Sequence, residues 1–240
     1  ETDELLKLQS KIYEITKDLI IDHDENLSVE KKISLPFSKI PEKNIWSKVM
    51  TDINSSKEFE NFITSKSIFN TFKQIYKEPK KFDISTFRAR FPDQNRVVYK
   101  WHQDEGTWFM SEDKKLSEKY PITLWFSING SNENDSIQLL QGSHKLKLFE
   151  HKFVEGQGFF NIKNDNFINK EKIKTVKTLP SQGIMFDSLT VHRSVENKDI
   201  NMRPRYSVDI RYYESFDEKT KKIKVDSFFK LKKRLKNFLK

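Results

Sequence analysis

Cysteine is absent from this 240-residue chain. A disulfide scaffold, a thiolate zinc site, an iron–sulfur cluster and a thiol nucleophile are therefore all excluded. No apolar run approaches the ~18–20 residues that span a bilayer, and the opening Glu1-Thr2-Asp3-Glu4 has none of the features of a secretory signal. Glu1 stands where a natural chain starts with Met, so we expect the first natural residues to be missing. Arginine is scarce, 8 residues against 36 lysines, although the guanidinium is the group best suited to paired phosphate and base contacts. The formal net charge is nevertheless +9. Residues 219–240 hold ten basic groups and one acid, Asp226, and the other 218 residues hold 34 of each sign. The excess sits in the tail and the body is neutral. We therefore expect no nucleic-acid partner and no transmembrane segment; a small-molecule substrate and a cytoplasmic location are separate expectations that charge does not decide.

What the chain does have is aromatic weight, 13% of its residues with 20 Phe, enough for a globular core at this length. Leu5, Leu8, Ile12, Ile15 and Leu19 recur three and four apart, as on an amphipathic helix. The period resumes at Trp46, Val49 and Ile53 and runs through Phe59, Phe62, Ile63, Ile68, Phe72 and Tyr76 to Glu78-Pro79. Beyond about residue 82 come short runs rich in β-branched and aromatic residues: 96–101, 122–128, 136–140, 172–179, 183–186 and 205–213. Such a series, without long helices between, predicts an antiparallel barrel or sandwich. We expect one catalytic domain over 1–240: helical support in 1–81, a β core in 82–216 and a basic amphipathic helix in 217–240. The tail's stripe of Phe228, Leu231, Leu235 and Phe238 is expected to pack against the sheet, with binding to an anionic surface as the other reading.

Two of the five histidines stand out. In Trp101-His102-Gln103-Asp104 an imidazole and a carboxylate lie two residues apart, so on a strand both leave one face. His192 follows 90 residues later at the end of another strand-like run. Two His and one carboxylate on a β scaffold form a facial triad suited to non-haem Fe(II), with open coordination positions. The run 205–213 alternates polar Arg205, Ser207, Asp209 and Arg211 with apolar Tyr206, Val208, Ile210 and Tyr212. A charged inner face needs an anionic partner, because an unpaired interior guanidinium is costly.

The segments WHQDEGTW (101–108), PITLWFSING (121–130), IQLLQGSHK (137–145), GIMFDSLTVHRS (183–194) and RYSVDIRYY (205–213) together resemble the phytanoyl-CoA dioxygenase family of Fe(II)/2-oxoglutarate oxygenases. The resemblance covers roughly residues 84–213. It implies a mainly β fold with flanking helices, a cupin-like double-stranded β-helix or jelly roll. It implies His102, Asp104 and His192 as iron ligands, and 2-oxoglutarate and O₂ as co-substrates. Ser194 and Trp125 match residues of the 2-oxoglutarate pocket. The family's spacing from the second His puts the co-substrate arginine at Arg203, whereas strand alignment puts it at Arg205. Loops change length more readily than strands change register, so Arg205 is preferred and Arg203 retained as the alternative. The implied reaction hydroxylates a C–H bond of a small or medium-sized metabolite and releases succinate and CO₂. Halogenating members have lost the carboxylate that Asp104 supplies, which favours hydroxylation here. A jelly-roll binding module for an anionic ligand, or a metal cupin that ignores 2-oxoglutarate, are the competing readings.

Arg88, Arg90, Glu105 and Trp108 are candidate substrate contacts near the iron motif. Lys100 and Phe109 have a weaker claim to frame the same pocket. His144, in Gly142-Ser143-His144, is expected to fix a turn, and His23 and His151 to face solvent.

Overall fold

The computed structural model describes residues 2–21, 25–39, 41–92, 98–110, 121–155, 159–195 and 203–215, without the side chains of 43 and 108–110. The expected tail helix over 217–240 and His23 lie outside the described residues.

The first third is helical: α1 (Asp3–Thr16), α2 (Val29–Lys32), α3 (Lys43–Asn54), α4 (Lys57–Ile63) and α5 (Lys66–Lys73). Side-chain hydroxyls set the breaks. Ser56 and Ser65 accept from the amides of Phe59 and Ile68, so the continuous apolar period from Phe59 to Tyr76 becomes two capped helices. No helix among the described residues is long and apolar enough to cross a membrane.

The strands are β1 (Pro79–Lys81), β2 (Thr86–Arg90), β3 (Ile122–Ser127), β4 (Ile137–Leu140), β5 (His151–Val154), β6 (Phe159–Ile162), β7 (Ile173–Thr175), β8 (Gln182–Asp187), β9 (His192–Ser194) and β10 (Arg205–Glu214). All pairings among the described strands are antiparallel. In the large sheet β10 pairs with β1 and β2 on one side and β3 on the other, and β3 pairs with β8. The small sheet has the order β7-β4-β9, and β5-β6 form a separate hairpin. Two antiparallel sheets enclosing a cavity, with helices outside, make the jelly roll that the family resemblance implies.

Strand β10 organises the molecule. Tyr206, Val208, Ile210 and Tyr212 join one apolar cluster with Leu8, Ile12, Val49, Phe62 and Phe72 of the helices, and Phe72 stacks on Tyr212 at 4.4 Å. The exposed edge of β2 is closed by α3: Asn54 accepts from Phe87 N at 2.8 Å and donates to Phe87 O at 3.2 Å, and Trp46 Nε1 donates to Ala89 O. Backbone groups that would template another strand are thereby satisfied.

Several local expectations change. The run 96–101 is not a strand where it is described; His102 makes only an isolated bridge to His192. A helix, α6 (Asp104–Met110), begins immediately after it. His151 is 4% exposed, not solvent-facing, because the β5–β6 hairpin folds over the start of α6. The strands β1, β2, β5, β6 and β9 lacked a run distinct enough to place in advance.

Candidate active site

His102 and His192 face each other across a two-hydrogen-bond bridge, each amide donating to the other's carbonyl at 2.9 Å. Their rings lie 4.0 Å apart. Nδ1 of His102 contacts Lys100 O at 2.7 Å and Nδ1 of His192 contacts Thr190 O at 2.9 Å. A carbonyl can only accept, so Nδ1 carries the proton of each neutral imidazole, which leaves the Nε2 lone pair to act as a ligand. Asp104 opens α6, so it meets His102 through a strand-to-helix turn and not through the strand alternation expected from sequence. Its Oδ2 accepts from Thr123 Oγ1 at 2.7 Å and from Arg211 Nε and Nη2 at 3.3 Å each. Its Oδ1 lies 3.8 Å from His192 Nε2. One ligating atom from each of the three buried residues lies within 4.8 Å of the others.

Electrostatics prepare the same set. Burial, then the neighbouring His192, holds the His102 imidazole well below its usual pKa and so neutral. Burial opposes ionisation of Asp104, but Arg211, the imidazoles and the Thr123 hydroxyl outweigh it and keep the carboxyl below the ordinary range. Two imidazole Nε2 atoms and one carboxylate on one side of an open space fit a divalent first-row ion such as Fe(II). Backbone carbonyls on the outer nitrogens supply the usual orienting partners.

The open space is a cavity of about 450 Å³ that runs between the sheets. Arg205, Ser207, Asp209 and Arg211 of β10 line it together, as their alternation predicts, with Trp125 of β3 and Ser194 of β9. Arg205 is 2% exposed. Its Nε donates to Asp135 O at 2.9 Å, Nη1 donates to Ser207 Oγ, and its guanidinium lies over the Trp125 ring at 5.5 Å. Burial, then the like charge of Arg90, pushes Arg205 down to about 9, a strain that a bound anion would relieve. Arg203 does not line the cavity. It precedes Pro204 and the strand, and pairs instead with the Asp135 carboxylate and Asn129 O.

The remaining candidates separate. Arg88 and Arg90 both line the cavity; Arg88 donates to Asp209 Oδ2 at 3.1 Å and to the Tyr99 hydroxyl at 2.6 Å, and Arg90 to Val195 O. Glu105 is buried but turned away to Ser188 Oγ at 2.9 Å, and burial raises its pKa to about 7. The side chains of Trp108 and Phe109 lie outside the described residues. Lys100 and His144 do not line the cavity; His144 sits in the turn Ser143–Lys145. Sequence reasoning placed Arg211 on the charged face without assigning it to Asp104, and passed over Thr123, which also holds Asp104, and Phe159, whose ring meets His102 edge-on at 4.7 Å. The alternation of β10 was a signal for Arg211. Nothing local marked Phe159 or Thr123.

A family model described as phytanoyl-CoA dioxygenase matches residues 1–204. Among solved structures, the apo form of the non-haem monooxygenase ThoJ aligns with TM-score 0.57 and 13% identity over 88% of this chain and 69% of that one. The epimerase SnoN, in complex with Fe³⁺, alpha ketoglutarate and nogalamycin RO, aligns with TM-score 0.55 and 14% identity over 89% and 75%. The carbocyclase SnoK from nogalamycin biosynthesis gives 0.52 and 13% over 89% and 76%. At these identities the likeness concerns the fold. No curated protein matches the sequence.

Proposed function

The chain belongs to the phytanoyl-CoA dioxygenase family, and on that premise we propose that it is an Fe(II)- and 2-oxoglutarate-dependent oxygenase that hydroxylates a small or medium-sized metabolite. One observation carries the reading: the cluster of His102, Asp104 and His192 shares its cavity with the buried Arg205. A metal site at one place and a strained cation at another are what a chelating dicarboxylate bridges.

His102, Asp104 and His192 would hold the iron. Bound there, iron with 2-oxoglutarate and O₂ supplies the oxidising power for C–H hydroxylation, with succinate and CO₂ as co-products. The chain's own residues prepare that chemistry. Arg211 and Thr123 keep Asp104 ionised and its Oδ2 occupied, which orients the carboxylate. Arg205 receives the distal carboxylate of 2-oxoglutarate, with Ser194 and Trp125 beside it. Its Nε is already committed to Asp135 O and its Nη1 to Ser207, so little freedom is lost on binding. Phe159 and Phe186, each 4.7 Å from an iron-site imidazole, exclude water from the ligand rings. Arg88 and Arg90 are available to the primary substrate, whereas the orientation of Glu105 removes it from that role. A volume of about 450 Å³ suits a small molecule and its co-substrate. In this reading 1–240 act as one catalytic domain, with 1–81 supporting the outer face of the sheet.

The test is O₂-dependent conversion of 2-oxoglutarate to succinate by the Fe(II)-loaded protein across a metabolite panel. Wild type is expected to turn over and Asp104→Ala to lose turnover; equal rates in both would overturn the reading. Incorporation of ¹⁸O from ¹⁸O₂ into the product separates hydroxylation from epimerisation or ring closure, the reactions named for SnoN and SnoK.

A further inference from the structure

His151 opens β5, outside both sheets of the jelly roll. Its Nδ1 contacts Phe149 O at 2.8 Å, and this carbonyl fixes the proton on Nδ1. The free Nε2 lone pair accepts from the Gln103 amide at 3.1 Å. That amide belongs to the residue between the two candidate ligands His102 and Asp104. The approach is tight: a Cβ on Gly106 would lie 2.1 Å from the His151 ring, so only glycine lets α6 reach it.

The Gln103 side chain, fully buried, completes the clip. Its Oε1 accepts from Phe149 N at 2.8 Å, and its Nε2 donates to Leu189 O at 2.8 Å and Lys147 O at 3.3 Å. Leu189 lies three residues before His192. One residue thus fastens the hairpin side to both ligand-bearing segments, while Ile162 N donates to Trp101 O from β6.

We propose that His151 is a positioning residue for the metal centre, its Nε2 acceptor setting the His102–Gln103 peptide in the turn that leads to Asp104. The inference rests on the metal-site reading above. Partners that orient metal ligands from outside typically change affinity about 10–100-fold when removed, and His151 acts one step further out, through the backbone.

The experiment titrates Co(II) into the metal-free full chain and follows its visible d–d absorption, with thermal midpoints measured in parallel. Gln places an amide oxygen three bonds from Cβ, where His carries Nε2; Asn reaches only the Nδ1 position. His151→Gln should bind Co(II) within ~3-fold of wild type and His151→Asn should bind it ~10-fold or more weakly. Equal affinities in Asn and wild type, or equal losses in Gln and Asn, would overturn the proposal, the second outcome assigning the residue to packing. Should neither variant fold, Gly106→Ala approaches from the other side: it leaves His151 in place but forces the ring off Gln103. A loss of ~10-fold in Co(II) affinity is expected, and wild-type affinity would overturn the proposal. Failure of wild type itself to bind Co(II), or unchanged binding in His102→Ala, would reject the metal-site reading and this inference with it.

Discussion

The two faces of β10 divide the work of the molecule. Outward, Tyr206, Val208, Ile210 and Tyr212 are sealed against the helical third. Inward, Arg205, Ser207, Asp209 and Arg211 line the cavity. A two-residue period separates the faces, so neighbouring residues belong to different problems. Burial of apolar area on one side offsets the cost of holding guanidinium groups and carboxylates out of water on the other. Substitutions on the outer side should therefore cost stability and those on the inner side ligand binding.

The largest expected effect falls outside. Phe72→Ala removes the ring stacked on Tyr212 and should cost about 3–5 kcal/mol in equilibrium denaturation. The affinity of the folded fraction for 2-oxoglutarate should not change; a parallel loss would break the division. Next, Arg205→Met should weaken 2-oxoglutarate binding about 100-fold, near 2.8 kcal/mol. Its denaturation midpoint should hold or rise, because an apolar replacement of a buried charge is often neutral or stabilising.

The faces also differ in their response to pH. On the inner side burial depresses His102, as it does His151, which lies outside the cavity behind the ligand turn. The unfolded chain then binds more protons, so the metal-free protein loses stability as pH falls below about 6.5, by up to about 1.4 kcal/mol per unit for each buried imidazole. On the outer side, burial raises the phenols of Tyr206 and Tyr76, so their contribution holds below about pH 10 and is lost as pH rises beyond it. Tyr206→Phe should flatten the alkaline limb of a stability–pH curve and leave the acid limb unchanged. The smallest effect is expected of Arg203→Met, which frees the Asp135 carboxylate that pairs with Arg203 but leaves the Asp135 carbonyl on Arg205. A loss in 2-oxoglutarate affinity of roughly 3-fold, below 1 kcal/mol, should separate it from Arg205.

Period made this division readable before the structure. The polar and apolar alternation of 205–213 survives intact, and Trp125 and Ser194 line the same cavity as Arg205. Where tertiary packing overrides local pattern, the reading fell short. Asp104 reaches His102 through the first turn of α6, and a helix so short carries too little period to recognise. His151 has no carboxylate or His partner at ligand spacing in the sequence, and it is buried because a hairpin folds over Gln103 and Gly106. Arg203 and Arg205 share parity, and what separates them is Pro204 and the point at which the strand begins.

On the proposed function, one cavity holds both a metal ion on His102, Asp104 and His192 and 2-oxoglutarate. Adding 2-oxoglutarate anaerobically to the Fe(II)-loaded protein should raise a weak visible metal-to-ligand charge-transfer band that saturates, demands far more 2-oxoglutarate in Arg205→Met, and is lost in His102→Ala. Absence of the band in wild type, or its persistence unchanged in His102→Ala, would contradict the account.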